Sequence, residues 1–176
     1  MKNMALHQFL LIGLLCFGAA CSGARDSAAQ QPPGTSTGPD LQLGGTVPGD
    51  SLFFRLERTP CFGPCKAYRI SVYRSGYGTF DGILNMEKEG PHAHRIEKSV
   101  LEDLLTKAQA LGFFDLKDRY DADVTDLPST VVRIAANGQD KTVLGRVGAP
   151  SSFKALVEHA ESILLPMPWK PLPAAP

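Results

Sequence analysis

No stretch of this chain is apolar for long enough to span a bilayer. No stripe of basic residues marks a nucleic-acid surface, and the common catalytic motifs are missing. The main apolar run, Phe9 to Phe17, is well short of the ~20 residues that a membrane-crossing helix needs, and no second run follows it. Lys plus Arg number 18 and Asp plus Glu number 18; that balance, without a basic face, argues against a nucleic-acid partner. There is no G-x-S-x-G elbow, H-E-x-x-H helix, glycine-rich phosphate loop or C-x-x-C pair. Gly76-Tyr77-Gly78 reads as part of a hairpin, not as a nucleotide loop. Of the four histidines, His7 falls in the leader, His92 and His94 on one strand, and His159 on a helix. None stands beside a nucleophile in sequence. The expectation is a non-enzymatic protein that needs no cofactor.

What is present begins with an address. Lys2, the short apolar run and the small residues Gly18, Ala19 and Ala20 lead directly to Cys21. A basic start, a short apolar core and small residues make the secretory signal pattern. The arrangement resembles bacterial lipoprotein signals, whose cysteine becomes the lipidated N-terminus; Gly18 departs from the leucine usual three positions before it. Plain secretion after Ala20 is the alternative. Residues 1–20 are therefore expected to be a signal peptide, and 21–50 a lipidated Cys21 followed by a flexible linker. Ser22 to Asp50 holds six glycines, four prolines and no aromatic residue, too little apolar surface to offset the entropy of ordering. As a coil it reaches on the order of 30 Å, enough to hold a domain off a membrane. Ser22 lacks the aspartate that retains some lipoproteins at the inner membrane. By resemblance to Gram-negative sorting this implies an outer-membrane anchor, with the protein facing the periplasm.

Residues 51–165 have the length of a single domain. Leu52 to Arg58 alternates, with Leu52, Phe54 and Leu56 on one face and Arg55 and Glu57 on the other, as a half-buried strand does. Tyr68 to Arg74 repeats the pattern, Ser75-Gly76 marks a turn, Tyr77 to Leu84 is the returning strand and Ala93 to Glu97 a fourth. Ser99 with Glu102 forms a capping-box pattern at the start of a helix whose apolar face is Leu101, Leu104, Leu105, Ala108 and Leu111. Gly112 is placed to end that helix. Asp115 to Asp126 reads as an acidic loop. Asp121, Asp123 and Asp126 within it lack the glycine and glutamate of an EF-hand calcium loop. Thr130–Ala135 and Lys141–Val147 flank the hairpin turn Asn137-Gly138. A last helix starts near Ser151 or Ser152, buries Phe153, Leu156, Val157, Ala160 and Leu164, and stops at Pro166. The order predicts an α+β fold: an antiparallel sheet in ββ(ββ)-α-ββ-α order with two helices packed on one face. Residues 166–176 form a proline-rich extended tail, in which Trp169 either packs back on the domain or serves as a ligand for another protein.

The feature that stands out is Thr59-Pro60-Cys61-Phe62-Gly63-Pro64-Cys65, between two predicted strands. Cys16 lies in the leader and Cys21 at the anchor, so Cys61 and Cys65 are the cysteines of the mature domain. Outside the cytoplasm such a pair is expected to form a disulfide, a staple worth about 2 kcal/mol on a chain-entropy estimate. Gly63 supplies turn freedom, and Pro60 and Pro64 limit the loop's other shapes. Three further readings stay open. Thiol–disulfide exchange is one, although such sites use C-x-x-C at a helix start and here a strand follows. Copper is another: two thiolates suit Cu(I), and His92 and His94 would complete the site if their strand passes the loop. The third is a bridge that shapes a surface for binding an envelope protein or a cell-surface component.

The run from Arg58 to Cys65, followed by Tyr68 and an alternating strand, resembles an uncharacterised family of bacterial exported domains marked by T-P-C-x-G-x-C-P-x-Y. Its motif positions here are Thr59, Pro60, Cys61, Gly63, Cys65 and Tyr68, with Pro64 inside the loop. Lys66 stands where that family often has proline. Ser75 to Phe80 is similar to the family's next strand pair, and Leu104 to Phe114 to its helix end, so the likeness covers roughly 52 to 147. It implies the fold and an envelope address, and it carries no activity.

Overall fold

A computed structural model describes residues 49–123 and 126–173. The expected signal peptide, the Cys21 anchor and nearly all of the linker lie outside the described residues, as does the end of the tail. The chain runs β1 (Leu52–Arg58), β2 (Ala67–Tyr73), β3 (Tyr77–Leu84), β4 (Gly90–Arg95), α1 (Lys98–Ala110), a 3-10 turn (Phe113–Asp115), β5 (Arg119–Tyr120), β6 (Thr130–Ala136), β7 (Gln139–Gly145), α2 (Ser151–Leu164) and β8 (Lys170–Pro171). The strands make one sheet in the order β5-β7-β6-β1-β2-β3-β4-β8.

The period of two places one side of each strand inward. In β1, Phe54 and Leu56 are fully buried; across from them stand Val72 and Ile70 of β2 and Ile134 and Val132 of β6. Phe80 of β3 continues the row opposite Ile70. Arg55, Glu57, Arg69 and Arg133 take the other side, where Arg69 pairs with Glu57 and Arg55 donates to Ser71. A bulge between Leu52 and Phe54 turns Phe53 inward as well, to 6 % exposure. Alternation alone does not show this, because a bulge adds one residue to the period.

The helices cover the apolar face, and the α+β architecture is the one expected. α2 buries Phe153, Leu156, Val157, Ala160 and Leu164, which are the five residues of its predicted stripe. It crosses the strands: Phe153 packs where a Cβ on Gly145 of β7 would be, Glu161 reaches β1 and β2, and Leu165 lies beside Phe80 of β3. α1 buries Leu101, Leu104 and Ala108 and meets α2 through His159, whose Nε2 lies 2.6 Å from Asp103 Oδ2. Gly112 follows α1 with φ +65°, the left-handed stop that its position predicts.

Three expectations are corrected, and the open reading of the tail is decided in favour of Trp169 packing back on the domain. The sheet is mixed rather than antiparallel, because β5, inside the stretch expected to be an acidic loop, pairs parallel with β7. β4 starts at Gly90 rather than Ala93. The capping box does not form: Glu97 is the residue before α1 and has no side-chain cap, and Glu102 pairs instead with Lys98 at 3.2 Å. The tail does not simply run free. Trp169 is 5 % exposed, its indole N–H donates to the Leu164 carbonyl at 2.8 Å, and the next two residues add β8 to the edge of β4. Among the described residues no helix is long and apolar enough to cross a membrane.

Candidate functional site

β1, β2, β3 and β6 bring Arg58, Ala67, Leu84 and Thr130 to one end of the sheet. The cysteine loop closes that end. Cys61 and Cys65 form a disulfide with their Cα atoms 5.8 Å apart, a normal bridging distance. The loop is held at two further points. At its root the Thr59 N–H donates to Ser129 O at 3.0 Å, and the Ser129 N–H donates back to Thr59 Oγ1 at 2.8 Å. At its exit Asn85, after β3, donates its side-chain amide to Cys65 O at 3.0 Å and Gly63 O at 3.4 Å. Gly63 is not in the left-handed region, and a Cβ there would meet only Cys61 Sγ at 3.8 Å. The turn freedom expected of it is not used; the bridge and Asn85 set the loop's shape.

These restraints hold Phe62 out in water, 93 % exposed. Ile83, Leu84 and Leu127 are the other exposed large hydrophobic residues among those described, and all lie at this same end, two at the close of β3 and one just before β6. Exposed apolar side chains scattered singly are ordinary; here four fall at the same end of the sheet.

Beneath the loop lies a charged cluster joining three distant segments. Glu161 of α2 accepts from Arg58 Nε at 2.5 Å and also from the Tyr68 hydroxyl. Arg58 Nη1 donates to Thr130 Oγ1 at 3.3 Å. Burial, then the bond to Glu161, pushes the Tyr68 hydroxyl well above its ordinary pKa. The bond to Glu161, working against burial, raises that of Arg58. The hydroxyl is thus fixed as a donor and the guanidinium as a cation. The cluster is a charge-assisted tie.

Two clefts flank this tie and share Arg58 and Pro128. One, of about 340 Å³, lies between the start of α2 and the ends of β6 and β7, with Arg146, Phe153, Lys154 and Glu158 on its walls. The other, of about 420 Å³, is bounded by Cys65, Lys66, Tyr68, Glu161 and Leu165.

The histidines stand elsewhere. β4 is two strand spacings, about 10 Å, from β2, and His92 pairs in register with Phe80. Its ring meets Phe80 edge-on and its Nδ1 lies 2.9 Å from Gly90 O. His94 packs on Trp169. The structure does not bring His92 and His94 to Cys61 and Cys65. Among the described residues no three His, Cys, Asp or Glu side chains are grouped as metal ligands. Of the three loop aspartates, Asp121 faces Arg119 and Arg146. Burial alone would raise its carboxyl, but Arg119, the Ala122 N–H and Arg146 hold it below the usual range.

A family model described as "Domain of unknown function (DUF6438)" matches residues 53–164. The chain belongs to that family. No curated protein matches the chain. The DUF6438 match extends past the stretch seen by resemblance and takes in α2, so Glu161 lies within the family's domain along with Arg58 and Tyr68. The sequence places Tyr68 in the motif but does not point to Glu161, which lies 93 residues from Tyr68 and 103 from Arg58. One signal was there: Arg58 continues the inward stripe of Phe54 and Leu56, and an inward arginine needs a carboxylate.

Proposed function

We propose that this DUF6438 domain is an exported binding module, tethered to a bacterial membrane through a lipidated Cys21, that presents its disulfide-loop end to another protein of the envelope. The observation that carries the reading is Phe62, almost fully exposed on a loop closed by a disulfide and held by Asn85. A loop backbone already held in place loses less entropy on association, and aromatics are favoured interface anchors.

The direction of the chain supports the tether. Asp50 and Ser51 bond to Arg74 and Ser75 at the β2–β3 turn. That turn lies at the opposite end of β1 from the loop, about 23 Å away for seven residues. An anchor pulling on the N-terminal side therefore leaves the loop pointing away from it. Outer-membrane placement and the periplasmic face belong to the same proposal.

The test has two arms, both in intact cells. Cys21→Ser is expected to release the protein from membranes, and continued attachment would overturn lipidation there. A photo-cross-linking phenylalanine analogue at position 62 is expected to give a discrete protein adduct, while the same analogue at exposed Glu102 on α1 gives none. Equal adducts at both positions, or none at 62, would overturn the binding role.

A further inference from the structure

We infer that the two clefts at the strand ends form one groove that takes an extended peptide segment carrying two acidic groups about five residues apart. The inference deepens the binding-module reading by naming the chemistry of the partner, and it rests on observations separate from Phe62.

One wall of the groove is a single face of α2. Lys154, Glu158, Glu161 and Leu165 line the clefts at spacings of four, three and four, which stack along one side of a helix. The other wall is made of strand ends and loops: Arg146, Thr130, Arg58 and Cys65. Because Arg58 and Pro128 belong to both clefts, the two are contiguous.

The charges on these walls are unequal. Arg58, Lys66, Arg146 and Lys154 face Glu158 and Glu161, four cations against two carboxylates. Glu161 is committed to Arg58, and Arg146 has Asp121 at 3.7 Å. Among the described residues neither Lys66 nor Lys154 has a carboxylate within ion-pair distance. These two exposed lysines mark the ends of the groove. Lys154 is at the start of α2, and Lys66 shares the second cleft with Leu165 at its end. Eleven residues of helix separate Lys154 from Leu165, or about 16 Å. An extended chain covers that distance in about five residues. The lining is apolar at Phe153, Val157 and Pro128 and polar at Arg58 and Thr130, as a peptide with apolar side chains between its acids requires. Two adjoining clefts with a lysine on each fit a strand-like anion better than a compact one.

The probe is a fluorescein-labelled, amidated hexapeptide, Asp-Ala-Leu-Val-Ala-Asp, titrated by fluorescence anisotropy with the detergent-solubilised full chain. Saturable binding is expected. It should weaken at least tenfold when both acids become Asn and several-fold when they are moved next to each other. Lys66→Glu and Lys154→Glu should each weaken it several-fold, and the pair at least tenfold, with unchanged melting curves; Lys66→Gln and Lys154→Gln should show smaller losses. Raising salt from 50 to 500 mM should also weaken it, because exposed charges are screened. Failure to bind, equal binding of the Asn peptide, or indifference to both lysines would overturn the inference. So would Lys66- and Lys154-dependent binding to phosphatidylglycerol vesicles without peptide binding, which would make the groove a lipid surface. The cross-linking at Phe62 reads the parent proposal separately: a specific adduct there with no peptide binding would leave the module standing and remove only this groove.

Discussion

Arg58, the last residue of β1, holds Glu161 of α2 at 2.5 Å across 103 residues of sequence, and the same carboxylate oxygen accepts the Tyr68 hydroxyl. This is the principal polar tie between α2 and the sheet. It is only partly shielded, since Arg58 keeps 34 % of its side-chain exposure, and water discounts its strength. Removing the carboxylate alone leaves a half-buried cation and an unpaired hydroxyl. Glu161→Ala is therefore expected to cost about 2 kcal/mol, and Arg58→Met with Glu161→Gln less than the sum of the single changes. Urea unfolding of the four variants checks both. Additive losses would show that the two residues act independently.

The raised Tyr68 pKa makes a separate prediction in alkali. Unfolded tyrosine releases its proton near pH 10, whereas the folded hydroxyl, buried and bonded to Glu161, keeps it. Above pH 10 the folded chain thus binds more protons than the unfolded one, so stability falls as pH rises. Below pH 10 the contribution is complete. Tyr77 is shifted the same way by burial and by Tyr73. The expected slope is up to about 1.4 kcal/mol per pH unit for each fully shifted tyrosine. Tyr68→Phe should flatten it, at a cost in stability at neutral pH. Denaturant midpoints from pH 9 to 11 are the measurement, and parallel curves for the two proteins would refute the assignment.

Two glycines near the cysteine-loop end of the sheet are expected to behave oppositely. Gly63 belongs to the cysteine motif, yet its backbone is not left-handed and a Cβ there meets only Cys61 Sγ at 3.8 Å. Gly63→Ala should change stability by less than ~0.5 kcal/mol. A Cβ on Gly82 would lie 1.8 Å from the Lys88 carbonyl oxygen, which is backbone and cannot swing aside. Gly82→Ala should cost about 3 kcal/mol or more. Thermal melts of both variants decide this. The contrast matters because motif membership points to Gly63, while the packing points to Gly82.

That contrast shows where sequence reading stopped. β1 and β3 were legible to the residue because alternation of apolar and polar side chains has a fixed period and each strand has one buried face. The turn at Asn137-Gly138 was legible because both residues adopt positive φ, +51° and +76°, as such a hairpin needs. The start of α1 was misplaced: Ser99 and Glu102 satisfy a pattern, but Glu97 already sits at the boundary, and the pattern does not encode where β4 releases the chain. β5 and β8 were missed because two-residue strands carry no period and depend wholly on the edge they join. The Arg58–Glu161–Tyr68 tie was half legible. Its members sit on stripes that can be read one element at a time, but their meeting depends on how α2 crosses the sheet.

The disulfide should behave as scaffold. Opening a loop of about five residues costs about 2 kcal/mol on the chain-entropy account. The loop is also tied through Asn85 and the Thr59–Ser129 pair, so its root should survive reduction. Cys61→Ser with Cys65→Ser is expected to lower stability by about that amount, and Asn85→Ala by about 1 kcal/mol for its hydrogen bonds. Peptide mapping of native material should recover the Cys61–Cys65 fragment oxidised. Recovery of both thiols free would remove the staple and return the pair to metal or redox chemistry.

Trp169 closes the β3–β4 flank of the core, and its removal should be the most damaging change in the tail. The indole packs on Phe80 with ring centres 5.7 Å apart and on His94 at 6.0 Å, and its N–H satisfies the Leu164 carbonyl at the end of α2. One side chain thus caps a helix terminus, covers the β3–β4 part of the sheet and leads the chain into β8. Trp169→Ala is expected to cost about 3–5 kcal/mol. Trp169→Phe, which keeps most of the packing but not the donor, should cost less. As the sole tryptophan, it also reports on itself: native emission should be blue-shifted and resistant to quenching by iodide. Emission typical of a solvated indole in the native protein would mean that the tail is undocked and free to meet another partner.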